Sequence, residues 1–80
     1  MAQISLQDIQ KIEKSRNFVH EKAHATYTVF QLDGRTYVQL DTYGRTEREN
    51  PEKISQSIQF DSETARFLVD ILKKEFRLSD

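Results

Sequence analysis

Residues 25–43 read ATYTVFQLDGRTYVQLDTY, two runs of β-branched and aromatic residues around Asp33-Gly34. That pair suits the positive φ angles of a two-residue type I′ turn, so the stretch predicts a β-hairpin over 25–43 with a fixed register. Leu32 then faces Arg35, Phe30 faces Tyr37, Val29 faces Val38 and Tyr27 faces Leu40. Alternation along each strand gathers Tyr27, Val29, Val38 and Leu40 on one side, which has the composition of a core face. The other side carries Thr26, Thr28, Phe30, Leu32, Arg35, Tyr37, Gln39, Asp41 and Tyr43, aromatic rings interleaved with hydrogen-bonding groups. Binding chemistry is expected on that second face.

Downstream, GRTERENPEK over 44–53 holds turn formers, six charged residues and the only proline, with no apolar residue to bury. It predicts an exposed charged loop. Residues 54–60 alternate as a third strand, with Ile54, Ile58 and Phe60 inward, Ser55, Ser57 and Gln59 outward, and Gln56 the exception on the inward side. Asp61 is placed to cap a helix over 62–76. Ala65, Leu68, Val69, Leu72 and Phe76 form its main stripe, and Phe67 with Ile71 widens the apolar arc to roughly 200°. One sheet contact does not need so wide an arc. A second subunit or the first helix would cover the surplus, and we take Phe67 and Ile71 as the expected dimer interface. Upstream, Ser5 at an N-cap, Asp8 at N3 and the Ile4–Ile9 staple positions predict a helix over 5–16 with a thin stripe of Leu6, Ile9 and Ile12.

Eighty residues make one small domain, and a chain of this size buries a modest fraction of its surface, so dimerisation would help it. The absence of cysteine leaves no disulfide or thiolate metal site to staple it and fits a reducing cytoplasm. No apolar run approaches the roughly 18 residues of a membrane span, and no signal-peptide pattern is present. The expectation is a soluble cytoplasmic protein with no membrane role. Twelve Lys and Arg stand against 13 Asp and Glu, a net charge of −1. That balance excludes a protein that grips duplex DNA mainly through phosphates, so any nucleic-acid role must rest on a local patch.

His20-Glu21-Lys22-Ala23-His24 matches HExxH, a zinc-hydrolase pattern of only three fixed residues. Lys22 places a charge inside it, no further histidine supplies a third nitrogen ligand, and the segment runs directly into the β-rich ATYTVF. Both histidines are expected in a surface connection, with no metal and no other cofactor. Glu47, Glu49 and Glu52 lie in the charged loop as solvated carboxylates. With no Ser-His-Asp arrangement and no Gly-rich phosphate cradle, the chain does not read as an enzyme.

The hairpin's polar face has the composition of a single-strand platform. Phe30, Tyr37 and Tyr43 offer rings to bases, Gln39 and its neighbours offer hydrogen bonds, and Arg35, Arg45, Arg48 and Lys53 sit at the rims. The opposing reading makes Phe30 and Tyr37 a cross-strand aromatic pair on a covered face, and Asp41, which repels phosphate, supports it. The run YTVFQLDGRTYVQLDTYG, a polar loop with Pro51 and Lys53, the strand SIQF and the helix DSETARFLVDIL resemble the PC4-like family of transcriptional coactivators and their bacterial relatives. The resemblance covers Ala25 to Leu72. It implies a homodimer with a curved antiparallel sheet backed by a C-terminal helix, binding single-stranded or melted DNA in transcription regulation. It further implies roles for Arg35 as the basic turn residue, Leu32 as the apolar residue before the turn, Tyr43 as the strand-end aromatic and Lys53 as the loop's basic residue.

The expected architecture is an α+β domain of order α-β-β-β-α, with an antiparallel sheet backed by the C-terminal helix and completed as a homodimer. The favoured function is non-catalytic binding of single-stranded nucleic acid, DNA first, by the sheet face. The alternative is a dimeric protein-interaction or regulatory module that contacts a larger protein partner and has no nucleic-acid role.

Overall fold

The computed structural model describes residues 1–44 and 53–79. Its centre is the hairpin. Strand β2 (Ala25–Leu32) pairs antiparallel with β3 (Arg35–Tyr43) in the expected register, from Leu32 opposite Arg35 to Ala25 opposite Thr42. Asp33 and Gly34 turn the chain at φ 53° and 77°. A Cβ added at Gly34 would meet open space, so the demand for glycine there comes from the backbone angle alone.

Strand β4 (Ile54–Phe60) pairs antiparallel with β3, Val38 opposite Phe60 and Leu40 opposite Ile58. Gln56 lies opposite Thr42 but Ile54 lies opposite Tyr43, which leaves Ser55 as the extra residue of a β-bulge. The bulge corrects one expectation. Ile54 falls out of phase with Ile58 and Phe60 and shares a register position with Tyr43 instead.

A fourth strand, β1 (Ala2–Gln3), runs parallel to β4, Ala2 beside Ile58 and Gln3 beside Gln59. The amide of Ile4 extends the ladder to the carbonyl of Gln59 at 3.0 Å. The sheet is therefore mixed and four-stranded, in the order β1-β4-β3-β2, where three antiparallel strands were expected. The helix expected over 5–16 is absent. In its place stands one 3₁₀ turn at Leu6–Asp8, closed by the Asp8 amide on the Ser5 carbonyl at 3.1 Å, and Ile9 is already extended at φ −93° and ψ 135°. The Ser5 side chain makes no cap hydrogen bond. A helix of that length is marginal without a packed face, the Leu6, Ile9, Ile12 stripe supplies little of one, and strand pairing at Ile4 fixes the incoming backbone in an extended state.

Helix α1 (Ser62–Phe76) starts one residue after β4, giving an α+β fold with one C-terminal helix. Asp61 caps it by accepting the Thr64 amide at 2.9 Å. That backbone bond, with smaller help from the Thr64 hydroxyl and the Arg35 charge, holds the Asp61 carboxyl below the ordinary aspartate range. A depressed folded-state pKa means stabilisation present at neutral pH and lost as pH falls through the folded value. Asp61→Ala should therefore lower the melting temperature at pH 7, with the difference from wild type shrinking on acidification below about pH 4 in parallel thermal melts. Thr64 is fully buried, and its hydroxyl reaches the Ile4 carbonyl at 3.4 Å, stitching the helix start to the N-terminal segment. At the far end Arg77 takes the left-handed conformation at φ 55°, and the amides of Arg77 and Leu78 both close on the Lys73 carbonyl.

Among the described residues no apolar side chain is buried. Register puts Tyr27, Val29, Val38, Leu40, Ile58 and Phe60 on one apolar face, as the sequence predicts, but a single chain does not cover it. Tyr27 is 69 % exposed, Val29 59 % and Leu40 40 %. The main stripe of α1 is open as well, with Val69, Leu72 and Phe76 exposed. The chain's 7767 Å² of accessible surface exceeds the roughly 5,000 Å² expected of a compact monomer of 9.5 kDa. Its radius of gyration of 15.0 Å likewise exceeds the roughly 12 Å of a compact 80-residue domain. Part of the excess belongs to the exposed segment between the 3₁₀ turn and β2.

Candidate nucleic-acid interface

The even-numbered residues of β2 and the odd-numbered residues of β3 share the polar face, and the register arranges them in rows across the strands. Nearest the turn lie Leu32 and Arg35, then Phe30 and Tyr37. Next come Thr28, Gln39 and Gln59, and after them Thr26, Asp41 and Ser57. Tyr43 closes the series beside His24.

Two aromatic pairs bracket a polar floor. Phe30 and Tyr37 stack at 5.5 Å between centroids with 23° between planes. His24 and Tyr43 lie 5.0 Å apart at 35°. Tyr37 and Tyr43 are six residues apart on one strand, which separates the aromatic rows by about 20 Å. The Tyr43 hydroxyl shares a hydrogen bond of 3.1 Å with the Thr26 hydroxyl, so its ring is held at both ends.

The floor between them is a directed hydrogen-bond ladder. Gln59 donates its amide to Gln39 Oε1 at 2.7 Å, Gln39 donates to Asp41 Oδ1 at 2.9 Å, and Ser57 Oγ donates to the same carboxylate oxygen. Every donor runs toward Asp41. That orientation is dictated by the carboxylate, which only accepts, and it fixes which way each glutamine amide points. Asp41 and Ser57 are only 6 % and 4 % exposed. In the ladder Asp41 is held by the neutral donors Gln39 and Ser57, with no cation among them.

The expected site residues divide three ways. Phe30, Tyr37, Gln39 and Tyr43 are half-buried on this face, and the structure brings them together through the two pairs and the ladder. Arg35 is exposed at the turn end, where its charge also bears on Asp61, and Lys53 is exposed just ahead of β4 at the opposite end. Arg45 and Arg48, with the rest of the charged loop from 45 to 52, lie outside the described residues. Thr26, Ser57 and Gln59, expected on the polar side, lie on this surface, and His24, which sequence reasoning placed in a surface connection, joins them. Hairpin parity extended by one residue beyond Ala25 is the signal that places His24 there.

The segment from 20 to 24 is not helical, so HExxH spacing does not set its imidazoles on one helix face, and the His24 ring rests on Tyr43. Among the described residues no cluster of three or more metal-ligating side chains occurs. Phe67 and Ile71 are half-buried and, with Ile9 and Ile12, line an open groove of about 570 Å³ between α1 and the N-terminal segment. No helix among the described residues is long and apolar enough to cross a membrane. No known family model matches the chain, and no curated protein or solved structure matches it either.

Proposed function

We propose that this chain binds single-stranded nucleic acid, DNA in the first place, on the polar face of its sheet, and that it works as a homodimer without catalysis. The observation that carries the reading is the polar floor bracketed by the two aromatic pairs. Base-aromatic stacking tolerates any sequence and contributes about 1–3 kcal/mol per base, so two aromatic rows give a strand two anchoring points. The floor between them holds amide groups of fixed direction for base edges. Asp41 repels phosphate, which favours bases turned toward the floor and the backbone along the rims, where Arg35 and Lys53 stand at opposite ends. DNA is preferred through the resemblance to the PC4-like family, and a role in transcription regulation rests on that resemblance alone.

The dimer half of the proposal rests on the open apolar face and the open stripe of α1. A second copy supplies the matching apolar surface, since an isologous contact lets each helix stripe and each sheet face serve twice. Phe67 and Ile71 join that surface through the groove beside them. The exposed apolar face is also what a larger protein partner would use, and this is the rival reading. Melting behaviour on dilution separates the two, as set out in the Discussion.

Titration of a fluorescent mixed-sequence single strand at two salt concentrations tests the nucleic-acid reading. Tyr37→Ala should weaken binding by about 1–3 kcal/mol with little change in salt dependence. Arg35→Ala and Lys53→Ala should each weaken binding and reduce the slope of log K against log salt by about 0.7. If Tyr37→Ala lowers the melting temperature yet leaves binding untouched, the ring is structural and the platform reading fails.

A further inference from the structure

Strand β2 ends the sheet, and among the described residues nothing pairs with its outer side. The Tyr43 amide donates to the His24 carbonyl at 3.0 Å, which sets the parity of the whole ladder. Main-chain groups of the even-numbered residues from 24 to 32 point toward β3, and those of Ala25, Tyr27, Val29 and Gln31 point away from it. Natural edge strands are blunted by lysine, proline, bulges or shortness. This one is ATYTVFQL, eight residues without charge or proline, paired to β3 without a bulge. Its outward N–H and C=O groups form an unprotected template for another strand.

The sequence of β2 is complementary to itself. A second β2 laid antiparallel about a two-fold axis at Thr28 sets Tyr27 opposite Val29 and Ala25 opposite Gln31, and these are the residues whose main-chain groups point outward. Between them Thr28 meets its own copy and Thr26 meets Phe30. Aromatic with β-branched residues and threonine with threonine are favourable cross-strand pairs, and every residue from 25 to 31 is engaged. Moving the axis to Tyr27 keeps the parity but shortens the overlap, and moving it to Val29 keeps the overlap but leaves Ala25 without an outward partner in the strand. The accessible surface in excess of a compact monomer also calls for contacts between copies. We infer that the free edge of β2 is an interface between copies of this chain, closed by a two-fold axis at Thr28.

The axis stands perpendicular to the sheet, so both polar faces stay on the same side and become one continuous surface. The contact is separate from the one assigned to the apolar face and stands whether or not nucleic acid binds. Together the two would join dimers side by side.

Thr28 is exposed on the polar face, so charge there is tolerated by the single chain. Thr28→Lys and Thr28→Asp each place like charges opposite one another at the axis, and mixing the two variants places opposite charges there. Sedimentation velocity across a hundredfold concentration range should show each variant alone at half the assembled mass of wild type, and the equimolar mixture should recover it. If the apolar-face contact is wrong, the halving is from dimer to monomer; if it is right, it begins from a larger assembly. Amide hydrogen exchange gives a second readout. In wild type at high concentration the Tyr27, Val29 and Gln31 amides should be protected, with protection at least tenfold lower in either single variant. Unprotected exchange at these three amides in wild type at every concentration, or wild-type mass in both single variants, overturns the inference.

Discussion

Leu40→Asp should abolish the folded protein at micromolar concentration. Leu40 sits in the middle strand of the apolar face, between Tyr27 and Ile58 in register, and a single chain leaves it 40 % exposed. In an isolated chain, a carboxylate at such an open site would cost little. In a dimer whose core is formed between copies, the same carboxylate is desolvated without a partner, at a cost of several kcal/mol, which exceeds the margin of a small domain. Circular dichroism and sedimentation would report an unfolded chain. The companion measurement is wild-type melting on dilution: if folding and association are one step, the melting temperature falls as the protein is diluted, each tenfold step removing about 1.4 kcal/mol of association free energy. A Leu40→Asp protein that stays folded with wild-type mass, or a dilution-independent melting temperature, would return the apolar face to a separate protein partner.

The second large effect lies at Asp41, where structural support and charge can be taken apart. Asp41→Leu removes the acceptor that Ser57 and Gln39 both use, leaving a buried hydroxyl and an amide hydrogen unpaired. The expected loss is roughly 1–3 kcal/mol of stability, read in urea unfolding. Asp41→Asn keeps a side-chain carbonyl that can accept and should cost less. It also removes a negative charge from beneath the proposed platform, so single-strand binding at low salt should strengthen several-fold while stability stays near wild type. Weaker binding by Asp41→Asn would mean that the carboxylate contacts a base directly, and repulsion would no longer describe its role.

The parts of this fold that could be read from the sequence are those specified locally. Asp33-Gly34 admits one tight turn, the turn fixes the register of eight paired positions, and the period-two pattern assigns each side chain to a face. Asp61 before an apolar-periodic run marks the start of α1 with equal clarity. The misreadings concern interactions between distant segments. Ser5, Asp8 and the isoleucines around them satisfy a helix-start pattern, yet the Ile4 amide is claimed by Gln59 of β4, which holds the incoming backbone extended. The bulge at Ser55 depends on pairing with Thr42 and Tyr43 and leaves no mark in the local pattern of ISQSIQF. Composition identifies the apolar face correctly but is silent about whether its cover comes from the same chain. At the candidate site, periodicity places Tyr37, Gln39 and Tyr43 together. The direction of the amide ladder follows only once Asp41, Ser57 and Gln59 are seen side by side.

The pairing of the N-terminal strand with β4 also bears on the order in which this protein assembles. The hairpin closes through a two-residue turn, whereas the contact of Ile4 with Thr64 joins residues sixty apart in sequence. Loop-closure entropy rises with the length of chain enclosed, so the hairpin can form early and carry β4, while β1 gains its few hydrogen bonds only after the rest of the sheet exists. With two residues in the strand and no buried apolar side chain behind it, β1 is the last element to dock and the first to open. The stretch expected to nucleate folding is therefore the same one, 25–43, that carries Phe30, Tyr37 and Tyr43, so under the proposed function a substitution in those rings would act on the folding rate as well as on binding.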